Sequence, residues 1–281
     1  MTGAVAARLS DGRLHLQHGP IDLLIEAFGA TGEVEVAYRQ AIDRFGDVLP
    51  TLAGELSYLR RPVGDAYPLL RGPVARRMAE AVWPYRDVFI TPMAAVAGAV
   101  ADEVLQAMRA GRVLDKAYVN NGGDIAIHLD PGHSLRAGIF AQALDGAVEL
   151  THDRPVRGIA TSGWRGRSFS FGIADSATVL ATTAAAADAA ATVIANAVNI
   201  DHPAVERRPA CELDPDSDLV DRLVTIDVGA LPRTQINKAL ADGAAEARRL
   251  RLCGLIDSAA LSVQGQWWVE TSLQDDRRAV R

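Results

Sequence analysis

Cysteine is nearly absent from this chain. There are two in 281 residues, Cys211 and Cys253, far apart and without a CxxC partner. That excludes a disulfide framework and a cysteine zinc site, and it fits a reducing cytoplasm. Aromatic residues make up only 5%, so the core has to be built from small side chains, alanine above all, with helices lying close on sheet. No run suits a membrane. The first twenty residues lack the apolar centre of a signal peptide. The most apolar long stretch, 177–198, carries Thr182, Thr183, Asp188 and Asn196, which is too polar for a span. Positive charge is not in excess either. The net charge of −6 argues against nucleic acid as a main partner, because duplex binding needs a basic surface that releases counterions. Arg60, Arg61, Arg71, Arg76 and Arg77 lie near one another in sequence and read as a solvated face. No GxSxG elbow occurs, and none of the six histidines sits in HExxH or another metal-ligand spacing, so serine hydrolysis and a histidine metal site are set aside.

What is present is an ordinary globular composition, 49% apolar and 23% charged, in a chain long enough for one domain over 1–281 with a sizeable core. Extended segments are expected over 14–28, broken near Gly19-Pro20. A helix should follow from Thr31 as N-cap, with Val36, Ile42, Phe45 and Val48 at helical spacing. A loop at 62–72 and Pro73 open a helix to 82. A strand is expected at 87–91, then a buried helix over 93–109 ending at Gly111. Strands at 117–120, 124–129, 135–142, 158–162 and 176–182 precede an Ala-rich helix ending near Asn199. A loop at 203–218, a strand at 223–228, a helix over 233–252 and a final strand near 260–268 complete the chain. Hairpin-linked strands mixed with helices, with no repeat, favour α+β with a largely antiparallel sheet.

Three groups of residues invite chemistry. Asp188 and Thr192 are one helical turn apart and share a face. That pair suits a hard cation such as Mg²⁺, or simply a helix whose threonine bonds its own turn. Gly122, Gly123 and Asp124 form a double-glycine bend, which suits either close backbone approach to a ligand or a tight turn. The stretch 160–172 carries Thr161, Ser162, Gly163, Arg165, Arg167, Ser168 and Ser170. It suits phosphate binding through O–H, N–H and guanidinium donors, or a polar hairpin loop.

In chain order, AVAGAVAD at 95–102, NNGGDI at 120–125, ATSG at 160–163, SATVLA at 176–181 and AADAAAT at 186–192 resemble the motifs of the ApbE-like flavin-transferase superfamily. The best-matching region is 88–200. The resemblance implies a T-fold-like α+β architecture, with FAD as substrate or ligand and Mg²⁺ as cofactor. It implies transfer of FMN, through a phosphodiester bond, to a serine or threonine of an acceptor protein. On the matching positions it implies Asp188 and Thr192 as metal ligands and Asp124, with Gly122 and Gly123, as the turn near the flavin nucleotide. Thr161, Ser162, Gly163 and Arg165 would complete the nucleotide site, and Arg167 and Ser168 would stand with Asp188 in the catalytic set. The chain departs from the pattern at two places. The family's motif lysine is Ala97 here, and its histidine-bearing HxIDPxTG segment is replaced by GWRGRSFSFGIAD. That replacement resembles an uncharacterised branch with a TSxGxxGxSxSFGxAD-type segment. The acceptor motif D-G-[ST]-G-[AS]-T is also missing, so the chain is not expected to be its own target. Three readings stay open: a Mg²⁺-dependent enzyme on a flavin or nucleotide phosphate, a non-catalytic flavin- or nucleotide-binding relative, or a different enzyme in which Arg167, Ser168 and Ser170 reshape the substrate end.

Overall fold

The computed structural model describes residues 3–141 and 144–271. In chain order the elements are β1 (Val5–Arg8), β2 (Leu14–His18), β3 (Ile21–Phe28), α1 (Thr31–Leu59), α2 (Pro73–Val82), α3 (Val96–Arg109), β4 (Lys116–Asn121), β5 (Asp124–Leu129), β6 (Ser134–Ala141), β7 (Leu144–Thr151), β8 (Gly158–Ser162), β9 (Ser176–Ala181), α4 (Ala184–Ala197), β10 (Val205–Pro209), α5 (Ala210–Leu213), β11 (Leu223–Val228), α6 (Arg233–Leu252), β12 (Ser258–Val263) and β13 (Gln266–Thr271). This is the expected α+β class, with antiparallel strand pairs packed against helices. Among the described residues no helix is long and apolar enough to cross a membrane.

The chain forms two compact units. The first comprises residues 1–137, 149–160 and 182–189; the second comprises 138–148, 161–181 and 190–281. In the first, β1 to β5 run as an antiparallel meander with β3 paired to β4 across the three intervening helices. Strict alternation on β2 and β3 turns Leu14, Leu16, Leu23 and Ile25 onto one face, as period-two side-chain geometry requires. That face meets Tyr38, Ala41, Phe45 and Val48 of α1, Val74 and Met78 of α2, and Val100, Val104 and Met108 of α3 in one core. In the second unit β12 pairs with both β9 and β13, all antiparallel, and β10 pairs with β11. Gly243 of α6 leaves no room for a side chain: a Cβ there would fall 2.2 Å from Cγ2 of Val198.

Several segments differ from the sequence expectation, each for a local reason. The helix from Thr31 is capped by the backbone of Ala30, and Thr31 is its first residue rather than its cap. Its buried stripe runs through Ala37, Tyr38 and Ala41, while Ile42 is exposed. Residues 87–91 form no strand; the Val63 N–H bonds the Ile90 carbonyl at 2.8 Å and the Val88 N–H bonds the Tyr85 carbonyl at 3.0 Å. The helix expected from 93 starts as a 3-10 turn, Pro92–Ala95, before α3. The strand expected at 135–142 is β6, with Gln142 outside the described residues. β9 is buried at all six positions, so it does not alternate. The presumed loop 203–218 contains β10 and α5. The single final strand is a hairpin, β12 and β13, turning at Gln264 and Gly265, both with positive φ.

The start of α4 is held by bare backbone. A Cβ on Gly98 would lie 2.3 Å from the Ala184 carbonyl oxygen, and one on Gly158 would lie 2.1 Å from the carbonyl carbon and oxygen of Thr183. Both neighbours are main chain and cannot swing aside. Gly158→Ala is therefore expected to cost at least about 3 kcal/mol, the upper part of the overpacking range. Gly54→Ala, at an exposed position of α1 with nothing near its Cβ site, should stabilise by up to about 1 kcal/mol. Thermal melts of the two variants check this; equal melting temperatures would refute the tight approach.

Candidate functional site

The first turn of α4 exposes N–H groups that its own helix cannot satisfy. Asp102, one turn beyond Gly98 on α3, supplies the acceptor: its two carboxylate oxygens receive the Ala184 and Ala185 N–H groups at 3.1 and 2.9 Å. One turn further along α4, Asp188 points back at α3, and its Oδ2 accepts from the Gly98 N–H at 3.0 Å. The Asn121 side chain donates to the Ala97 carbonyl at 3.0 Å, which ties the end of β4 to the same place. Gly122 and Gly123 are the two central residues of the β4–β5 hairpin, with φ of +66° and +113°. Two consecutive positive φ values are the type I′ combination that twists with the strands. The Gly123 N–H is further held by the Asn120 side chain at 2.8 Å. The double glycine is thus a tight turn, and that turn delivers Asp124 to the neighbourhood of Asp188.

The charges of Asp124 and Asp102 consequently both act on Asp188. Burial, then the charge of Asp124, and also that of Asp102, push the Asp188 carboxyl well above the ordinary aspartate value, against the N–H groups of Gly98 and Ala97, which favour its charged form. Asp102 is raised too, chiefly by burial, with its two helix N–H partners opposing. Among the described residues no three Asp, Glu, His or Cys side chains stand close enough to hold one metal ion by themselves. Asp188 and Thr192, one turn apart on α4, would make a sparse ligand pair. That fits Mg²⁺, which keeps several waters and takes one or two protein carboxylates plus substrate phosphates.

The remaining sequence candidates belong to the second unit. Gly163 is pressed against main chain, its Cβ position 2.6 Å from the Asp175 carbonyl oxygen. The Arg165 Nε donates to Asp175 Oδ1 at 3.0 Å, and its guanidinium lies over the Trp164 ring at 4.5 Å. Trp164 Nε1 shares that carboxylate oxygen. Arg165 therefore fixes the loop with a neutralised charge. Arg167 and Ser168 are exposed. The Thr161 and Thr178 hydroxyls bond at 2.9 Å, and Ser170 donates to Asn196 Oδ1. Sequence reasoning passed over Asp102 and Asp175. The first had a visible signal in its i+4 spacing from Gly98. The second closes the GWRGRSFSFGIAD segment, ten residues after Arg165, although its bond to the Gln264 N–H spans 89 residues.

Because the fold raises the Asp188 carboxyl, it binds a proton there that the unfolded chain releases. Stability from this group is present at acid pH and is lost as pH climbs from the ordinary 3.8 through the raised value. Asp188→Asn keeps an acceptor for the Gly98 N–H and removes that loss. In EDTA at pH 7 it should melt roughly 3 °C or more above wild type, the shift that about 1 kcal/mol produces in a chain of this size, and the gap should close toward pH 4. A variant that melts lower at pH 7 would contradict the crowding of acids.

The chain resembles the UPF0280 protein of Methanothrix thermoacetophila, 42% identical over 134 residues covering 46% of this chain and 54% of the relative. It also resembles that of Archaeoglobus fulgidus, 41% identical over 45% of this chain and 51% of the relative, and that of Methanopyrus kandleri, 34% identical over 54% and 61%. The chain spans about half the length of these curated relatives. Among solved structures, the flavinyl transferase ApbE of Pseudomonas stutzeri aligns over 97% of this chain and 95% of its own, at 13% identity and a TM-score of 0.47. The apbe protein of Thermotoga maritima aligns over 98% of each, at 13% identity and a TM-score of 0.40. The assignment rests on the family model described as "AbpE bacteria", which matches residues 6–269; the chain belongs to that family, within the ApbE-like superfamily.

Proposed function

We propose that this protein is a Mg²⁺-dependent enzyme acting on a flavin or nucleotide phosphate, with FMN transfer from FAD to an acceptor protein as its first candidate reaction. The observation that carries the proposal is the surplus of negative charge around Asp188. Burial and the charges of Asp124 and Asp102 raise the Asp188 carboxyl, and a divalent cation beside it would relieve that cost. Asp188, held in place by the Gly98 N–H, and Thr192 are the protein ligands in this reading. When bound, Mg²⁺ neutralises charge developing on phosphate oxygens as the P–O bond breaks. Asp124 accepts from the nucleotide, positioned by the rigid Gly122-Gly123 turn.

In the second unit the resemblance points to Thr161, Ser162 and Gly163 as nucleotide-site positions, and Arg167 and Ser168 are exposed. Arg165 orders the loop. In FMN transfer the acceptor hydroxyl oxygen bonds to the FMN phosphorus while the pyrophosphate bridge of FAD breaks, AMP leaves and the hydroxyl proton passes to solvent. With Ala97 in place of the family's lysine and no motif histidine, positioning and the metal supply the catalysis. The two free cysteines suit a reducing compartment.

The test is incubation with FAD, MgCl₂ and a protein bearing the D-G-[ST]-G-[AS]-T motif, followed by mass spectrometry. A gain of one FMN on the acceptor, or release of AMP without it, is expected in wild type. Asp188→Ala should lose at least about a hundredfold in rate, since it removes a group that acts on charge in the transition state. Absence of both products, together with FAD binding that EDTA leaves unchanged, would establish the non-catalytic flavin-binding alternative instead.

A further inference from the structure

The geometry points to a second, cationic ligand site within the first unit, at the far end of α3 and β5 from the acidic corner, built to receive a phosphate or pyrophosphate group. A cavity of about 540 Å³ opens there, and Arg77, Arg109, Arg157, His128, His152 and Thr182 contribute to its walls. That volume lies within the range of small-molecule sites.

Arg157 is the anchor. Its guanidinium is fixed by three main-chain carbonyls, donating to Arg154 at 2.6 Å, Val156 at 2.7 Å and His152 at 2.8 Å. Carbonyls orient a cation but do not neutralise it, and among the described residues Arg157 has no carboxylate partner. Five N–H donors minus three leave two to spare. Arg109, in the last turn of α3, is exposed and has no ion pair among the described residues; burial first, and then the charge of Arg109, lower the Arg157 pKa from its ordinary value. Two like charges held near each other on a cavity wall are a cost to the fold that an anion removes. His128 donates from Nε2 to the Leu114 carbonyl, and burial, then the charges of Arg109 and Arg157, lower its pKa from the ordinary histidine value. The Thr182 hydroxyl lacks a partner among the described residues and stands just before α4.

The opposing charges are accounted for. Arg77 is shared with Glu103 at 3.3 Å and Gln106 at 2.6 Å. Asp102, also on the wall, is committed to the first N–H groups of α4, which leaves Asp130 as the one other acid lining the cavity. The site does not require the metal reading of Asp188, and its test is run in EDTA so that no divalent cation takes part in binding.

Inorganic pyrophosphate is titrated calorimetrically into the full-length protein at constant ionic strength, with ADP in a parallel arm. Wild type should bind pyrophosphate with a Kd below about 1 mM. Arg109→Gln, an exposed change that relieves repulsion and should leave the melting temperature level or higher, should weaken binding about tenfold or more through loss of a charge-assisted contact. Arg248→Gln, on the exposed face of α6, should bind as wild type does. ADP binding tighter than pyrophosphate assigns the occupant as a nucleotide, and equal binding assigns it as free polyphosphate. No heat with either ligand up to about ten times that Kd, or unchanged binding in Arg109→Gln, overturns the site.

Discussion

The first turn of α4 is the constraint on which the first unit depends. Two glycines on different elements, Gly98 of α3 and Gly158 of β8, let main chain pass within van der Waals distance of Thr183 and Ala184. Asp102 then caps the helix from a neighbour rather than from its own N-cap residue. A cap delivered across 82 residues gives the helix start a fixed address in the fold, which a local Ser or Asp would not. The same close approach brings the Asp188 carboxylate within reach of an N–H at the beginning of α3. The acidic corner is therefore a by-product of packing made from small residues. The low aromatic content of the chain and its alanine-rich helices are what make that packing possible.

Much of this was legible in the sequence because Pro and Gly punctuate it. Pro73, Pro92 and Gly111 bracket α2 and α3, and the apolar periodicity of α6 gives its bounds directly. What was hidden had physical reasons. β10 reads VERRP, with charges and a proline that local propensity assigns to a loop, and it exists because β11 pairs with it. Residues 87–91 have the β-branched composition of a strand but no partner strand. The last hairpin turns at Gln264-Gly265, without the Asn-Gly or Asp-Gly signal of a type I′ turn. Gln264 tolerates its positive φ because its N–H, Oε1 and Nε2 are all bonded, to Asp175, Leu231 and Gly229.

The candidate site was legible in part for a related reason. Motif order pointed to Asp188 and Asp124, and the fold brings their charges together. Motifs did not distinguish the arginines of the 160–172 loop. Arg165 and Arg167 look alike in sequence, yet one is bound to Asp175 and stacked on Trp164 while the other is exposed. The difference lies in a carboxylate ten residues on, and only the folded loop shows which arginine it selects.

The two ends of α3 are electrically opposite, and the helix itself supports the arrangement. Its N-terminal N–H of Gly98 meets an aspartate, and Arg109 stands in its last turn. A helix macrodipole favours both placements. The eleven residues from Gly98 to Arg109 span roughly 17 Å at helical rise, and β5, alongside, carries Asp124 at one end and the His128–Asp130 region at the other over a comparable length. That separation exceeds the Debye length of about 8–10 Å at physiological salt. Charge added at one end is therefore largely screened from the other. Asp102, midway along the helix, is common to both: it lines the cationic cavity and its charge raises Asp188, so the acidic corner and the cavity are linked through that one carboxylate while Gly98 and Arg109 themselves lie beyond the screening distance.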